Sequence, residues 1–160
     1  MTIILRHSRE NLKKCSLRGL EKDPLFQFYT YPKLPPLGRP FILLTLNAPF
    51  LSKEDGKHPL LLIDGTWRYA ARMQKTVLET YPSLAILRSL PGNISTAYPR
   101  KQTLCEDSDR GLASIEALYL AHKILGLPHQ HLLDNYHWKE NFLEKCDPNL
   151  EDHKEKKEEK

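Results

Sequence analysis

A chain of 160 residues, 40% of them hydrophobic, with a formal net charge of +4 and a mean hydropathy of -0.53, reads as one soluble globular domain, too short for two large ones. It contains no apolar run near the roughly 20 residues that a membrane helix needs, and its first residues turn polar too early for a secretory signal, so a cytoplasmic protein without a membrane partner is expected. Three widely spaced cysteines, Cys15, Cys105 and Cys146, suggest neither a disulfide framework nor a metal site.

In chain order, Ile3 to Leu5 predicts a first strand, followed by a helix from about Ser8 that Gly19 ends. Phe26 to Tyr31 is aromatic and β-prone, and the prolines from Pro32 to Pro40 require a turn-rich connection. Phe41 to Leu46 predicts a buried strand, and Ser52 to Lys57 a charged loop. Leu60 to Ile63 is a continuous apolar run that suits a strand covered on both faces, and it leads through Asp64, Gly65 and Thr66 into a helix that begins near Trp67 and stops before Pro82. Leu84 to Leu87 is a fourth apolar run. The polar stretch from Ser89 to Asp109 is a long loop, of the kind that carries function in compact domains. Ser108 or Asp109 caps the next helix, through Leu112, Ile115 and Leu118 to Gly126, with Ser114 and Glu116 inside it on different faces and Glu116 read as solvated. A last helix is expected from Leu132 to about Cys146.

Residues 151–160 alternate in charge with nothing to bury and are expected to be a disordered tail after a single domain of residues 1–150. The tail holds more acids than lysines, so the domain is more basic than the chain as a whole, which is compatible with nucleic acid. Strands alternating with helices predict an α/β fold with a mostly parallel sheet. In such sheets ligands sit beyond the strand ends. Asp64 and Trp67 would then stand at the mouth of a site, where a carboxylate binds an amine and a π face attracts a cation. The plainer alternative makes Asp64 or Thr66 a helix cap and Trp67 a core residue. Arg68, Arg72 and Lys75 form one basic helical stripe, either a solvated face or an RNA contact.

Four segments together resemble the DTW-domain family, relatives of the ribosome-biogenesis aminocarboxypropyltransferases in the SPOUT-like superfamily. They are Leu5 to Glu10 with Lys14 and Ser16 to Leu20, Ile63 to Trp67 with Ala70 or Ala71, Tyr98 to Gln102, and Leu112 to Leu118. The chain lacks the cysteine cluster with which many members begin, so no metal is expected. Ser8 stands where proline is usual, Ser16 and Leu17 replace Thr-Gly, and Tyr98-Pro99 alters the spacing of the third motif.

The resemblance implies a sheet with a C-terminal knot and transfer of the 3-amino-3-carboxypropyl group of S-adenosyl-L-methionine to uridine in RNA, tRNA ahead of rRNA. It implies that Asp64, Thr66, Trp67, Ala70, Leu90, Tyr98 and Ser114 hold the cofactor, with Asp64 on its amino group. Asp64, Arg100 and Glu116 become the catalytic candidates, Asp64 as base and Arg100 as a cation for the developing uridine anion. Arg68, Arg72, Lys75, Arg100 and Lys101 become the RNA contacts. Two other readings stay open, an RNA methyltransferase that uses the same cofactor and a non-catalytic RNA-binding or ribosome-assembly factor. The oligomeric state is left open.

Overall fold

The structure, a computed structural model, describes residues 1–9, 16–92, 94, 96–97 and 112–146. Five strands form one sheet in the order β2-β1-β4-β3-β5, with β1 at Thr2–His7, β2 at Phe26–Tyr31, β3 at Phe41–Leu44, β4 at Leu60–Asp64 and β5 at Ala85–Arg88. Every neighbouring pair is parallel. Helix α1 covers Trp67–Thr80, α2 covers Ser114–Leu125, and α3 covers 139–146.

The alternation of side chains along each strand decides which helix covers it. Ile3, Leu5, Phe41, Leu43 and Leu61 pack on one face against Met73 and Val77 of α1. Ile4 and Leu62 point the other way, to Ile115, Leu118 and Tyr119 of α2 and to Phe142 and Cys146 of α3. Met73 and Val77 lie four apart, hence on one helix face, and burying each stabilises the fold by about 1.5 to 3 kcal/mol. Because helices cover both faces, the central strands read as unbroken apolar runs.

Several boundaries differ from expectation. The third strand stops at Leu44, and the chain bends at Asn47, whose φ of 56 leaves the extended region. The charged segment from Ser52 is a short 3-10 turn, Lys53–Lys57, capped by Ser52 and Asp55. Asp55 is buried there and paired with Arg88 at 3.2 Å, which ties the turn to β5. The last helix is divided: a 3-10 turn at Gln130–Leu133 is followed by turns and then α3. Tyr136 and Phe142 enter the same core cluster, but on one unbroken helix they would point about 120° apart, and the break removes that conflict. Of the helix expected after Ser8, residues 10–15 lie outside the described residues, and Gly19 has the left-handed φ of 96 that suits glycine at such an end. Cys15, Cys105, the polar loop from residue 98 to 111 and the tail 151–160 also lie outside them.

From β1 the chain moves to β2 on one side, whereas from β4 it moves through α1 to β5 on the other side of the sheet. Adjacent parallel strands that diverge in this way open a crevice beyond their carboxyl ends. Arg6, His7, Asp64 and Gly65 all stand there.

Candidate functional site

The crevice continues into a cavity of about 700 Å³ bounded by Leu44 at the end of β3 and Thr45 to Asn47 beyond it, Gly65 after β4, Leu90, Pro91 and Ile94 after β5, one side of α1, and Ala113 just before α2 with Ser114 and Ala117 of that helix. Its floor is apolar, through Leu44, Leu62, Leu90, Ile94 and Leu112, and polar groups gather at the side where Thr45, Asn47, Gln74, Lys75 and Glu79 meet. Gln74 Nε2 donates to Thr45 Oγ1 at 3.1 Å, which fixes α1 to the β3 end. A cavity of this size with an apolar body and a few polar groups suits a small ligand.

Beside it lies a buried charge cluster. Arg6 and Asp64 are partners in register between β1 and β4, and Arg6 Nε donates to Asp64 Oδ2 at 3.2 Å. Ser114 Oγ, at the first turn of α2, donates to Asp64 Oδ1 at 2.7 Å. The guanidinium also donates to Glu21 Oε1 at 2.9 Å and lies 4.8 Å from the centre of the Phe28 ring. Burial alone would raise the carboxyl of Glu21, but hydrogen bonds from its own N–H, from Arg6 and from the Gly19 N–H outweigh it and hold the group below its usual value. Asp64 is only 3% exposed, so its guanidinium partner is what makes its burial tolerable.

Glu116, expected to be solvated, is fully buried at 0% exposure. Its carboxylate accepts from the N–H of Ala113, the N–H of Ala97, the hydroxyl of Thr96 and the hydroxyl of Tyr136. It caps α2 and fastens the segment after β5, both of which border the cavity. Because α2 begins at Ser114, not at Ser108 or Asp109, Ser114 is a helix-terminal residue instead of an interior one. Thr66 does occupy the cap position of α1, but its side chain makes no capping hydrogen bond.

The structure brings Ala70, Leu90 and Ser114 to the cavity wall, with Asp64 behind Ser114. Thr66 is exposed and does not line the cavity. Arg68 and Arg72 are exposed on α1, and Lys75 lies at the cavity rim, 4.0 Å from Glu79. Tyr98, Arg100, Lys101 and the side chain of Trp67 lie outside the described residues. Sequence reasoning passed over Arg6, His7, Thr45 and Gln74. The rule that singled out Asp64, a polar residue just past an apolar strand, applies equally to Arg6 and His7 after Ile3 to Leu5. Among the described residues no three His, Cys, Asp or Glu side chains are grouped to hold a metal ion, and no helix is long and apolar enough to cross a membrane.

No protein-family model and no curated protein matches this sequence. Among solved structures the fold is similar to that of the SAM-dependent rRNA:acp-transferase Tsr3 from Vulcanisaeta distributa, with a TM-score of 0.70 and 24% identity over 94% of this chain and 80% of that one.

Proposed function

We propose that the protein transfers the 3-amino-3-carboxypropyl group of S-adenosyl-L-methionine to a uridine of RNA in the cytoplasm. The observation that carries this reading is the cavity of about 700 Å³ at the strand ends, apolar inside and bordered by the first turn of α2. An adenosine with a sulfonium side chain fits those features: its ring suits the apolar floor formed by Leu90, Ile94 and Leu112, and a carboxylate is favoured at a helix N-terminus such as that of α2. The four sequence motifs and the fold shared with Tsr3 support the same reading. The C-terminal knot that the resemblance implies belongs to it too.

When bound, the cofactor supplies an electrophilic carbon beside its sulfonium. The chain's contribution is orientation, because the choice among three such carbons depends on which one faces the acceptor. In this reading Ser114 and the start of α2 hold the amino-acid end. Asp64 acts chiefly through Ser114, since Arg6 already compensates its charge. Glu116 is a positioning residue that fixes two cavity walls. Arg68, Arg72, Arg100 and Lys101 meet the RNA backbone. Uridine of tRNA is the acceptor that the family resemblance implies, and rRNA is the substrate class of the structural neighbour.

The test is incubation with S-adenosylmethionine labelled either in its methyl or in its aminocarboxypropyl carbons, followed by mass spectrometry of nucleosides from separate tRNA and rRNA pools. Uridine carrying the aminocarboxypropyl label is expected. A methyl label in RNA would instead establish a methyltransferase, and absence of cofactor binding at millimolar concentration would leave only an RNA-binding factor.

A further inference from the structure

His7, the last residue of β1, is 8% exposed and takes no part in the cavity lining. Its Nδ1 accepts the backbone N–H of Arg9 at 3.0 Å. An N–H only donates, so the neutral ring must carry its proton on Nε2. That nitrogen has no hydrogen-bond partner among the described residues. A buried donor left unpaired costs free energy and calls for an explanation.

The surroundings supply one. The ring stacks on Tyr69 at 3.9 Å between centroids and 10° between planes. It also stacks on Tyr31, its register partner on β2, at 5.6 Å and 24°. Both tyrosines are half-buried. Arg9 and Arg72 are exposed, and their positive fields reach the imidazole, where they add to burial in pushing it below its usual value. The proton therefore stays on Nε2 alone near neutral pH, and the ring offers a neutral donor among aromatic faces with cations around it. Single-stranded nucleic acid is bound by this combination of stacking surfaces and positive charge.

Gly65 links this cluster to the cavity. It lines the cavity, and a Cβ built on it would lie 3.5 Å from His7 Cβ and 3.6 Å from Tyr69 Cβ. The imidazole thus stands directly across the β4 turn from the proposed cofactor. Uracil presents two carbonyl acceptors flanking its ring nitrogen, and these carry the negative charge when that nitrogen loses its proton. A donor at this position matches them, whereas adenine presents an amino donor beside its ring acceptor.

We infer that Tyr31, His7 and Tyr69 form the subsite for the acceptor uracil, with His7 Nε2–H donating to a carbonyl oxygen of the base and Arg9 and Arg72 meeting the adjoining phosphates. The inference rests on the transfer reading above for its role in the reaction, but its test needs no cofactor. Protein labelled with ¹⁵N is titrated with a ten-nucleotide oligouridylate and, separately, with oligoadenylate. The imidazole signals are followed, and the His7 signals are identified by their loss in His7→Phe, which keeps a ring in the stack. Oligouridylate is expected to shift the His7 Nε2 resonance, and His7→Phe to weaken it roughly tenfold, the loss of about one hydrogen bond. The melting temperature of the variant should fall by no more than a few degrees, since only the bond from the exposed Arg9 N–H to Nδ1 is lost, and its calorimetric affinity for S-adenosylmethionine should stay within error of the wild type. Oligouridylate that leaves His7 unmoved, an unchanged affinity in His7→Phe, or equal effects of the two oligonucleotides, which would mean a phosphate contact, would each overturn the subsite. Wild-type protein that binds S-adenosylmethionine without a His7 response overturns this inference alone. Wild-type protein whose His7 responds to oligouridylate but which binds no S-adenosylmethionine supports the uracil subsite and overturns the transfer reading.

Discussion

The two ends of β1 each place a buried histidine, and the two histidines are treated in opposite ways. At the start of the strand His122 of α2 meets Thr2, with 2.8 Å between the Thr2 hydroxyl and Nε2, while Nδ1 lies 3.0 Å from the carbonyl oxygen of Pro128. A carbonyl only accepts, so Nδ1 carries the proton and Nε2 accepts from Thr2. Both nitrogens are satisfied, the ring packs near Phe26 at 5.4 Å, and the residue serves stability. At the far end His7 has the opposite tautomer and one nitrogen without a hydrogen-bond partner among the described residues. The carboxyl ends of parallel strands are where the connections diverge and packing is interrupted, so polar groups left incomplete there are available to a ligand. Those at the amino ends have to be completed by the protein itself.

The largest expected effect tests whether the site end is nevertheless held by strong interactions. Arg6→Met leaves Asp64 buried without its guanidinium and should destabilise the fold by about 3 to 5 kcal/mol in urea unfolding. The double variant Arg6→Met with Asp64→Leu should recover a large part of that loss, since it removes the orphaned charge. A double variant as unstable as the single one would show that the pair contributes more than mutual compensation.

Next in size, His122→Leu keeps volume but leaves the buried Thr2 hydroxyl without its acceptor and removes the donor to the carbonyl of Pro128. A loss of about 1 to 3 kcal/mol is expected, seen as a lower denaturation midpoint with unchanged oligonucleotide binding. Altered binding would break the contrast between the two strand ends.

The pH dependence sharpens it further. Burial pushes His122 below its usual value, against the opposing hydrogen bond to Pro128, with nearby positive charges adding to the shift. Burial and then Arg9 and Arg72 do the same to His7. Below about pH 6.5 the unfolded chain binds protons at both sites that the folded protein resists. Stability is therefore present above that pH and is lost as pH falls toward the depressed folded values. Unfolding free energies measured between pH 5 and 8 should rise with pH, and removing either histidine should flatten the curve. A slope of opposite sign would refute the neutral assignment of both rings.

The smallest stability change belongs to His7→Phe, within about 1 kcal/mol by chemical denaturation, because the stack with Tyr69 survives, Nε2 has no partner among the described residues to lose, and the N–H of the exposed Arg9 that Nδ1 accepts can turn to water. A loss as large as that of His122→Leu would make His7 another core residue.

The sequence alone determined the alternation of strands and helices, since Leu60 to Ile63, Phe41 to Leu44 and the Met73 and Val77 spacing carry their periodicity locally. It also marked the Asp64 to Trp67 turn, because a polar break between an apolar strand and a helix is a local pattern. Only the tertiary structure decided what each polar residue does there. Glu116 reads as solvated in a window of ten residues, and it becomes buried because Ala97 and Tyr136, far along the chain, bring donors to it. Asp64 looks like an isolated carboxylate until the parallel register sets Arg6 beside it. His7 looks like one more polar residue after a strand until Tyr31 and Tyr69 enclose it. Propensity and periodicity arise between near neighbours, whereas burial, charge compensation and the satisfaction of a donor depend on strands and helices that meet only when the sheet has formed.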